Sequence, residues 1–320
     1  PCQYECPDFV KLPVNGDKNN MKYVMLMNVN PGCLFGGSAT EYFVGDFDGK
    51  NFTCVDDPHV PKWLDYGKDH YATVCFSGDR VIALPWMSNW QYANVTPIKQ
   101  YRGANALPRE LSLYTKDGHY YVAANVAPEV KAIRKDTKTI ENIKTDASVE
   151  KKGIAAGFDG AFEMEFDVTP AADGTAGIEI YNDKNEKTMI YLDLKQMRAV
   201  MDRTQSGLTD FGKLAEPHDI EKKADAARAS KGQKPMRIEN AINYQNDFAL
   251  GTWAPLNLCE GKTYHVDVFV DKCSVELFVD GGRIAMTNLV FPTKPYDSVK
   301  FYSEGGKSTF SQIKVYKLGM

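Results

Sequence analysis

The first residues with chemical potential lie near the start of the chain, where Tyr4 precedes Glu5, Cys6, Pro7 and Asp8. A glutamate beside a cysteine and a proline, just ahead of a strand, is a candidate general acid; a surface glutamate is the plain alternative. A denser set follows between residues 63 and 110: Trp63, Asp65, Tyr66, Asp69, His70, Tyr71, Trp86, Trp90, Tyr92, Tyr101, Arg102, Arg109 and Glu110. Aromatic faces next to bidentate polar groups are what sugar rings need. A ring's C–H face stacks on an indole, while its hydroxyls pair with carboxylate, amide or guanidinium. The same residues equally describe an aromatic core with ion pairs at its rim.

The elements that must position these residues read as strands. Residues 7–12, 22–30, 39–47 and 50–55 form one group of four, and 69–76, 80–87, 109–115 and 119–124 a second. The turns carry Asn15–Gly16, Asp48–Gly49, Gly78–Asp79 and Asp117–Gly118. Gly and Asn accept positive φ at low cost, so these are hairpin turns. Two quartets joined by tight turns look like two propeller blades, although the strand pattern alone equally permits a sandwich. Residues 126–146 are charged and weakly amphipathic and read as a surface linker with a short helix. Strands resume at 161–168, 176–182, 188–194, 263–270, 273–279, 283–289, 298–304 and 308–317. Alternation is clear at His265–Val266–Asp267–Val268–Phe269, as in a sheet buried on one face. The charge-rich stretch 216–235 reads as an exposed loop or short helix.

Composition sets the outer bounds. The 320 residues, 43% hydrophobic, 25% charged and 12% aromatic, suit two globular domains. A net charge of −4 argues against a nucleic-acid partner, which needs clustered positive charge. No apolar run approaches the ~20 residues of a membrane span. The seven cysteines are odd in number and form no C-x-x-C pair, so inert thiols are expected rather than a disulfide framework or a zinc site. Compartment stays open, with secretion or the periplasm favoured.

Seven motifs in order carry a resemblance to a known family. Glu5–Cys6–Pro7–Asp8 matches an E-C-P-D element. The run 63–76, WLDYGKDHYATVCF, matches D-x-G-x-D-aromatic-Y-A. The run 80–92, RVIALPWMSNWQY, matches G-W-M-x-x-W, with Pro85 where glycine is usual. Tyr101–Arg102–Gly103 and Pro108–Arg109–Glu110–Leu111 follow. Asp202–Arg203–Thr204–Gln205–Ser206–Gly207 matches D-R-[ST]-x-S-G, and 271–292 resembles a hallmark strand pair. Over nearly its whole length the chain resembles glycoside hydrolase family 32, the levanases, inulinases and invertases.

The resemblance implies an all-β fold: the C-terminal part of a five-bladed β-propeller, about two blades, over residues 1–127, then a linker at 128–147 and a β-sandwich at 148–320. It implies retaining hydrolysis of β-fructosides in levan, inulin or sucrose, with no cofactor and no metal. Glu5 corresponds to the general acid/base. Tyr71 and Trp90, or Trp86, correspond to side chains lining the fructosyl subsite, with Asp69 and Arg109 supporting that wall. The family's W-M-N-D-P-N-G nucleophile motif and its Arg-Asp-Pro motif have no counterpart here, and both should precede the acid/base. The expectation is therefore a chain inactive alone, whose partners are a fructan or sucrose-type carbohydrate and a missing N-terminal propeller half. That half is lost from a fragment, present as a separate chain, or absent from a truncated gene. Two blades without the other three should expose strand edges and an apolar flank. A non-catalytic carbohydrate-binding or structural module is the alternative, and a fructosyl transferase would share every residue named.

Overall fold

The computed structural model describes residues 3–76, 78–211, 226–233 and 248–319. Strands dominate it. The first four, β1 (Gln3–Val14), β2 (Asp17–Asn30), β3 (Ala39–Phe47) and β4 (Phe52–Cys54), pair in succession as an antiparallel meander. Asn15 and Gly16, at φ 52° and 79°, make the two-residue turn between β1 and β2, the conformation that Asn-Gly reaches most cheaply. A second meander repeats the plan with β5 (Tyr71–Phe76), β6 (Ile82–Trp86), β7 (Arg109–Lys116) and β8 (His119–Val126). The two meanders meet at the parallel pair Val14–Leu113. Leu12, Val24 and Leu26 of the first share one core with Leu111, Leu113 and Val122 of the second.

The opposite face of the first meander is aromatic and reaches solvent. Phe9 stacks on Tyr23 at 5.0 Å between centroids, with Phe47 and Phe52 set edge-on. Phe9 is 40% exposed, and on β5 Phe76 is 62% exposed. The anticipated apolar flank is thus on the surface.

The rest of the chain forms two further sheets. In one, β12 (Phe162–Thr169) lies between β21 (Ser308–Leu318) and β17 (Tyr264–Asp271), followed by β18 (Ser274–Val279) and β19 (Ile284–Leu289). In the other the order is β11 (Ser148–Lys151), β20 (Ser298–Glu304), β13 (Thr175–Tyr181), β14 (Lys187–Asp193), β15 (Arg198–Gln205) and β16 (Gly251–Pro255). Alternate residues point inward from both sheets. Phe162, Phe166 and Phe310 of the first meet Ile178, Ile190 and Phe301 of the second in one cluster. A two-residue period with one buried face produces this arrangement.

Two expectations change. Residues 128–147, expected as a surface linker with a short helix, hold a short helix and, beyond that expectation, two strands. A 3-10 helix at Pro128–Ile133 leads into β9 (Arg134–Thr139) and β10 (Ile143–Thr145), both antiparallel to β21. The sequence of β9, RKDTKT, is exposed almost throughout, so it lacks the apolar alternation that marks a half-buried strand. Strands β15 and β16, flanking the charge-rich stretch, were not anticipated either. Of 216–235 itself, residues 226–233 are described, with a mostly exposed helical turn at 226–229; the remainder lies outside the described residues.

The meanders pack directly on the sheet containing β17 to β19. Phe269, Phe278 and Ala285 complete the meander core. Gly67 runs against β19 so closely that a Cβ would sit 2.1 Å from the Thr287 carbonyl oxygen. Only glycine permits that approach.

Candidate active site

Glu5 is set by an irregularity in β1. Pairing with β2 shifts register between Glu5 and Asp8, and Cys6 has φ 43°. A matching irregularity interrupts β5 between Tyr71 and Val74, where Ala72 has φ 51°. Bulges re-aim side chains, and non-glycine residues at positive φ persist only where the surroundings hold them. Here both follow directly on a candidate site residue. The result is that the buried Tyr71 hydroxyl donates a hydrogen bond to Glu5 Oε2. Burial first, and then the facing Glu5 carboxylate, push the Tyr71 phenol well above its ordinary value. Its proton therefore stays in place, and it remains a donor.

An aromatic wall runs on from this pair. The ring of Trp86 lies 6.3 Å from that of Tyr71, and Trp90 lies 5.0 Å from Trp86. Trp90 is 40% exposed and offers a free surface at the end of the row. Gly103 backs the wall at φ 75°, with space for a Cβ only 2.5 Å from Trp86 Nε1. The Trp90 backbone N–H is held by the Ser38 hydroxyl at 3.1 Å. Glu5, Tyr71, Trp86 and Trp90 thus form one row of neighbouring side chains.

Asp69 and Arg109 do not join them. Both are fully buried, with their carboxylate and guanidinium turned to protein partners rather than to the wall. Asp69 accepts from the Tyr92 hydroxyl at 2.5 Å, Arg203 Nη1 at 2.6 Å and the Leu289 N–H at 2.8 Å. Arg109 donates to Asp65 Oδ2 at 2.7 Å, to Glu276 Oε2 at 3.1 Å and to the Thr287 hydroxyl. Burial pushes both carboxyls upward; the Arg109 guanidinium still brings Asp65 below its ordinary value but leaves Glu276 above it. These are buried ion pairs joining the meanders to the sheets behind them. The sequence offers no distinction here, since the partners lie 134 and 167 residues away.

His70 follows Asp69 in the chain. Burial, then the Arg109 charge, push its imidazole down to about 3, so it is neutral near pH 7. Asp8 is also committed: its two oxygens accept from the Phe9 and Cys75 backbone N–H groups at 2.8 and 2.6 Å. Among the described residues all six cysteines are free thiols, with Cys6 exposed beside Glu5 and Cys259 buried.

One contributor escaped the sequence reading. Asn28 is fully buried on β2, opposite Glu5, and touches both bulges. Its Nδ2 donates to the Cys6 and Thr73 carbonyls at 3.0 and 3.2 Å. Its Oδ1 accepts from the Thr73 N–H at 2.9 Å and the Thr40 hydroxyl at 2.7 Å. The signal in the sequence was a polar residue set between apolar neighbours, Met27 and Val29.

Known proteins place this geometry. The family model described as glycosyl hydrolases family 32 N-terminal domain matches residues 2–124, and the one described as glycosyl hydrolases family 32 C terminal matches residues 129–317. A levanase of Bacillus subtilis is 31% identical over 98% of this chain and 42% of its own length. An extracellular exo-inulinase of Aspergillus niger is 26% identical over 98% of this chain and 55% of its own. The chain thus spans about half the length of these curated relatives. The crystal structure of exo-inulinase from Aspergillus awamori superposes with a TM-score of 0.76 at 25% identity, covering 99% of this chain and 57% of that one. A β-fructofuranosidase from Schwanniomyces occidentalis shares the fold at TM-score 0.70.

Proposed function

This chain belongs to glycosyl hydrolase family 32, and on that premise we propose that it is the acid/base-bearing part of an enzyme that cleaves β-fructosidic bonds in levan, inulin or sucrose. The observation that carries the reading is the Tyr71–Glu5 hydrogen bond at the head of the Tyr71–Trp86–Trp90 wall. A sugar ring stacked on the wall would bring its glycosidic oxygen to a carboxyl group already oriented by a phenol.

The chemistry is a double displacement with retention. Glu5 gives its proton to the leaving oxygen as a separate carboxylate attacks the anomeric carbon and the C–O bond breaks. Glu5 then takes a proton from water, whose oxygen displaces that carboxylate and releases fructose. Among the described residues Asp8, the carboxylate next along from Glu5, is bound on both oxygens, and the sequence has no W-M-N-D-P-N-G or Arg-Asp-Pro motif to supply the second one. We assign that role to propeller blades other than the two meanders described here, packed on the exposed Phe9–Phe47 face. The two sheets sharing the Phe162–Phe301 core then form the sandwich, which takes in β9 and β10 because both pair with β21. A positioned acid alone contributes ~10²–10⁴-fold, so the isolated chain is expected to be inactive.

Two assays test this. Fructose release from levan, inulin and sucrose should be no higher for the chain than for its Glu5→Gln variant. Sustained release abolished by Glu5→Gln would refute the missing nucleophile. In native gels containing levan or inulin the chain should be retarded, and Trp90→Ala should relieve the retardation; equal mobility in both gels and in a plain gel would refute the sugar wall.

A further inference from the structure

The bond between Tyr71 and Glu5 spans two strands that do not pair with each other. β1 pairs with β2 and, at one residue, with β7; β5 pairs with β6. Backbone ladders therefore do not set the distance between the two side chains. Each is also followed by a residue at positive φ, Cys6 and Ala72. A bulge removes ladder hydrogen bonds, leaving backbone groups that need other partners when buried.

Asn28 supplies those partners. A primary amide has two donor hydrogens and two acceptor lone pairs, and here all four are used. One hydrogen goes to the carbonyl of Cys6, the residue after Glu5, and the other to the carbonyl of Thr73, two residues after Tyr71. The oxygen accepts the Thr73 N–H and the Thr40 hydroxyl. The Thr40 and Thr73 hydroxyls meet at 2.7 Å and close the network. The side chain is inaccessible to solvent, so water cannot replace these bonds. An aspartate there would set an anionic oxygen against two carbonyls, and a leucine would orphan three backbone groups.

We propose that Asn28 is a positioning residue, clamping the β1 and β5 bulges together so that the Tyr71 hydroxyl stays on the Glu5 carboxyl. Its importance for catalysis rests on Glu5 being the acid/base, but the clamp itself does not. Asn28 touches no substrate and acts only through Glu5 and Tyr71.

The test reads the Tyr71 hydroxyl in the intact chain. Tyrosines are labelled with 13C at Cζ, and spectra are taken in equal H2O and D2O. A hydroxyl in slow exchange gives two Cζ signals, one for each hydrogen isotope; fast exchange merges them. Tyr71→Phe assigns the signal among 17 tyrosines. The parent chain should show a split Tyr71 signal. Asn28→Ala should merge it, an acceleration of at least about tenfold in hydroxyl exchange, equivalent to about 1.4 kcal/mol. Thr40→Val, which removes a hydroxyl bond to the amide and the contact with the Thr73 hydroxyl but none of the amide's bonds to the backbone of the two bulges, should keep the splitting. That contrast separates positioning from general loss of stability. Should Asn28→Ala fail to fold, Asn28→Ser is read in the same way. A merged signal in the parent chain, or splitting that survives loss of the amide, overturns the inference. Because no fructan is involved, its failure is distinguishable from failure of the functional reading: a chain with an intact clamp that ignores fructans sinks only the latter.

Discussion

Replacing Arg203 by methionine should be among the most damaging single changes in this chain, although Arg203 lies away from the aromatic wall. Its guanidinium is fully buried. It donates to Asp69 Oδ2 at 2.6 Å, to the Leu289 carbonyl at 2.9 Å, to the Phe248 carbonyl at 2.7 Å and to the Tyr92 hydroxyl at 2.9 Å. The Phe248 ring lies against its face, 3.9 Å from Cζ to centroid. Methionine fills much of that volume but carries no charge. Asp69 then keeps two donors, Tyr92 and Leu289 N–H, and loses the Arg203 cation bonded to it. Removing one partner of a buried ion pair costs about 3–5 kcal/mol, chiefly because the remaining charge is uncompensated. For a chain of this size that is a fall in Tm of roughly 6–20 °C, at ~2–4 °C per kcal/mol. The assay is thermal and urea unfolding of the parent, Arg203→Met, Asp69→Asn and the double variant. The physical reasoning demands a particular order: the double variant, with a neutral amide in place of the stranded carboxylate, must be more stable than Arg203→Met alone. A cost for Arg203→Met below about 1 kcal/mol, in the range of an exposed pair, would refute the reasoning. So would a double variant no better than the single one.

Three further outcomes are expected. Burial first, then the Glu163 carboxylate, hold the Asp267 carboxyl well above its ordinary range, so above the unfolded value of ~3.9 the folded chain binds the extra proton and loses stability as pH rises. Asp267→Asn should therefore gain on the parent in Tm between pH 5 and pH 8.5; parallel curves would count against it. His70 is shifted the other way, its folded state refusing a proton that the unfolded chain accepts below ~6.5; acidification from pH 7 to pH 5 should destabilise the parent more than His70→Gln, as urea midpoints would show. Gly103→Ala, with a Cβ 2.5 Å from Trp86 Nε1 and φ at 75°, should cost about 1–3 kcal/mol and change tryptophan fluorescence as Trp86 moves on Trp90; an unchanged spectrum would show that the wall is not backed by Gly103.

How far the sequence reaches differs between elements. The hairpin strands were legible because two local signals coincide. Turn pairs such as Asn15–Gly16 and Asp117–Gly118 sit where positive φ is needed, and the alternation in β14 matches faces that are buried and partly exposed in turn; the alternation read in β17 does not mean one wet face, because Phe269 packs on the meanders and both faces are buried. β9 carried no such signal, because an exposed edge strand has no core face to print on its sequence. The site divides likewise. Glu5, Tyr71 and the two tryptophans belong to motifs whose members do converge, and the residue types stated their own chemistry.

Asp69 and Arg109 belong to the same run of motifs and carry the same functional groups, yet their burial and their partners Arg203 and Glu276 were decided by how the meanders dock on the sheets behind them. Asn28 is the converse case: a residue of no evident chemistry that tertiary packing sets between two bulges. Composition, turn chemistry and hydrophobic period act over a few neighbours along the chain, so the sequence by itself determined the all-β class, most of the strands and the residue types proposed here as acid and aromatic wall. Which polar groups face substrate and which lock the fold depends on desolvation and on partners more than a hundred residues away, and only the tertiary structure supplies those.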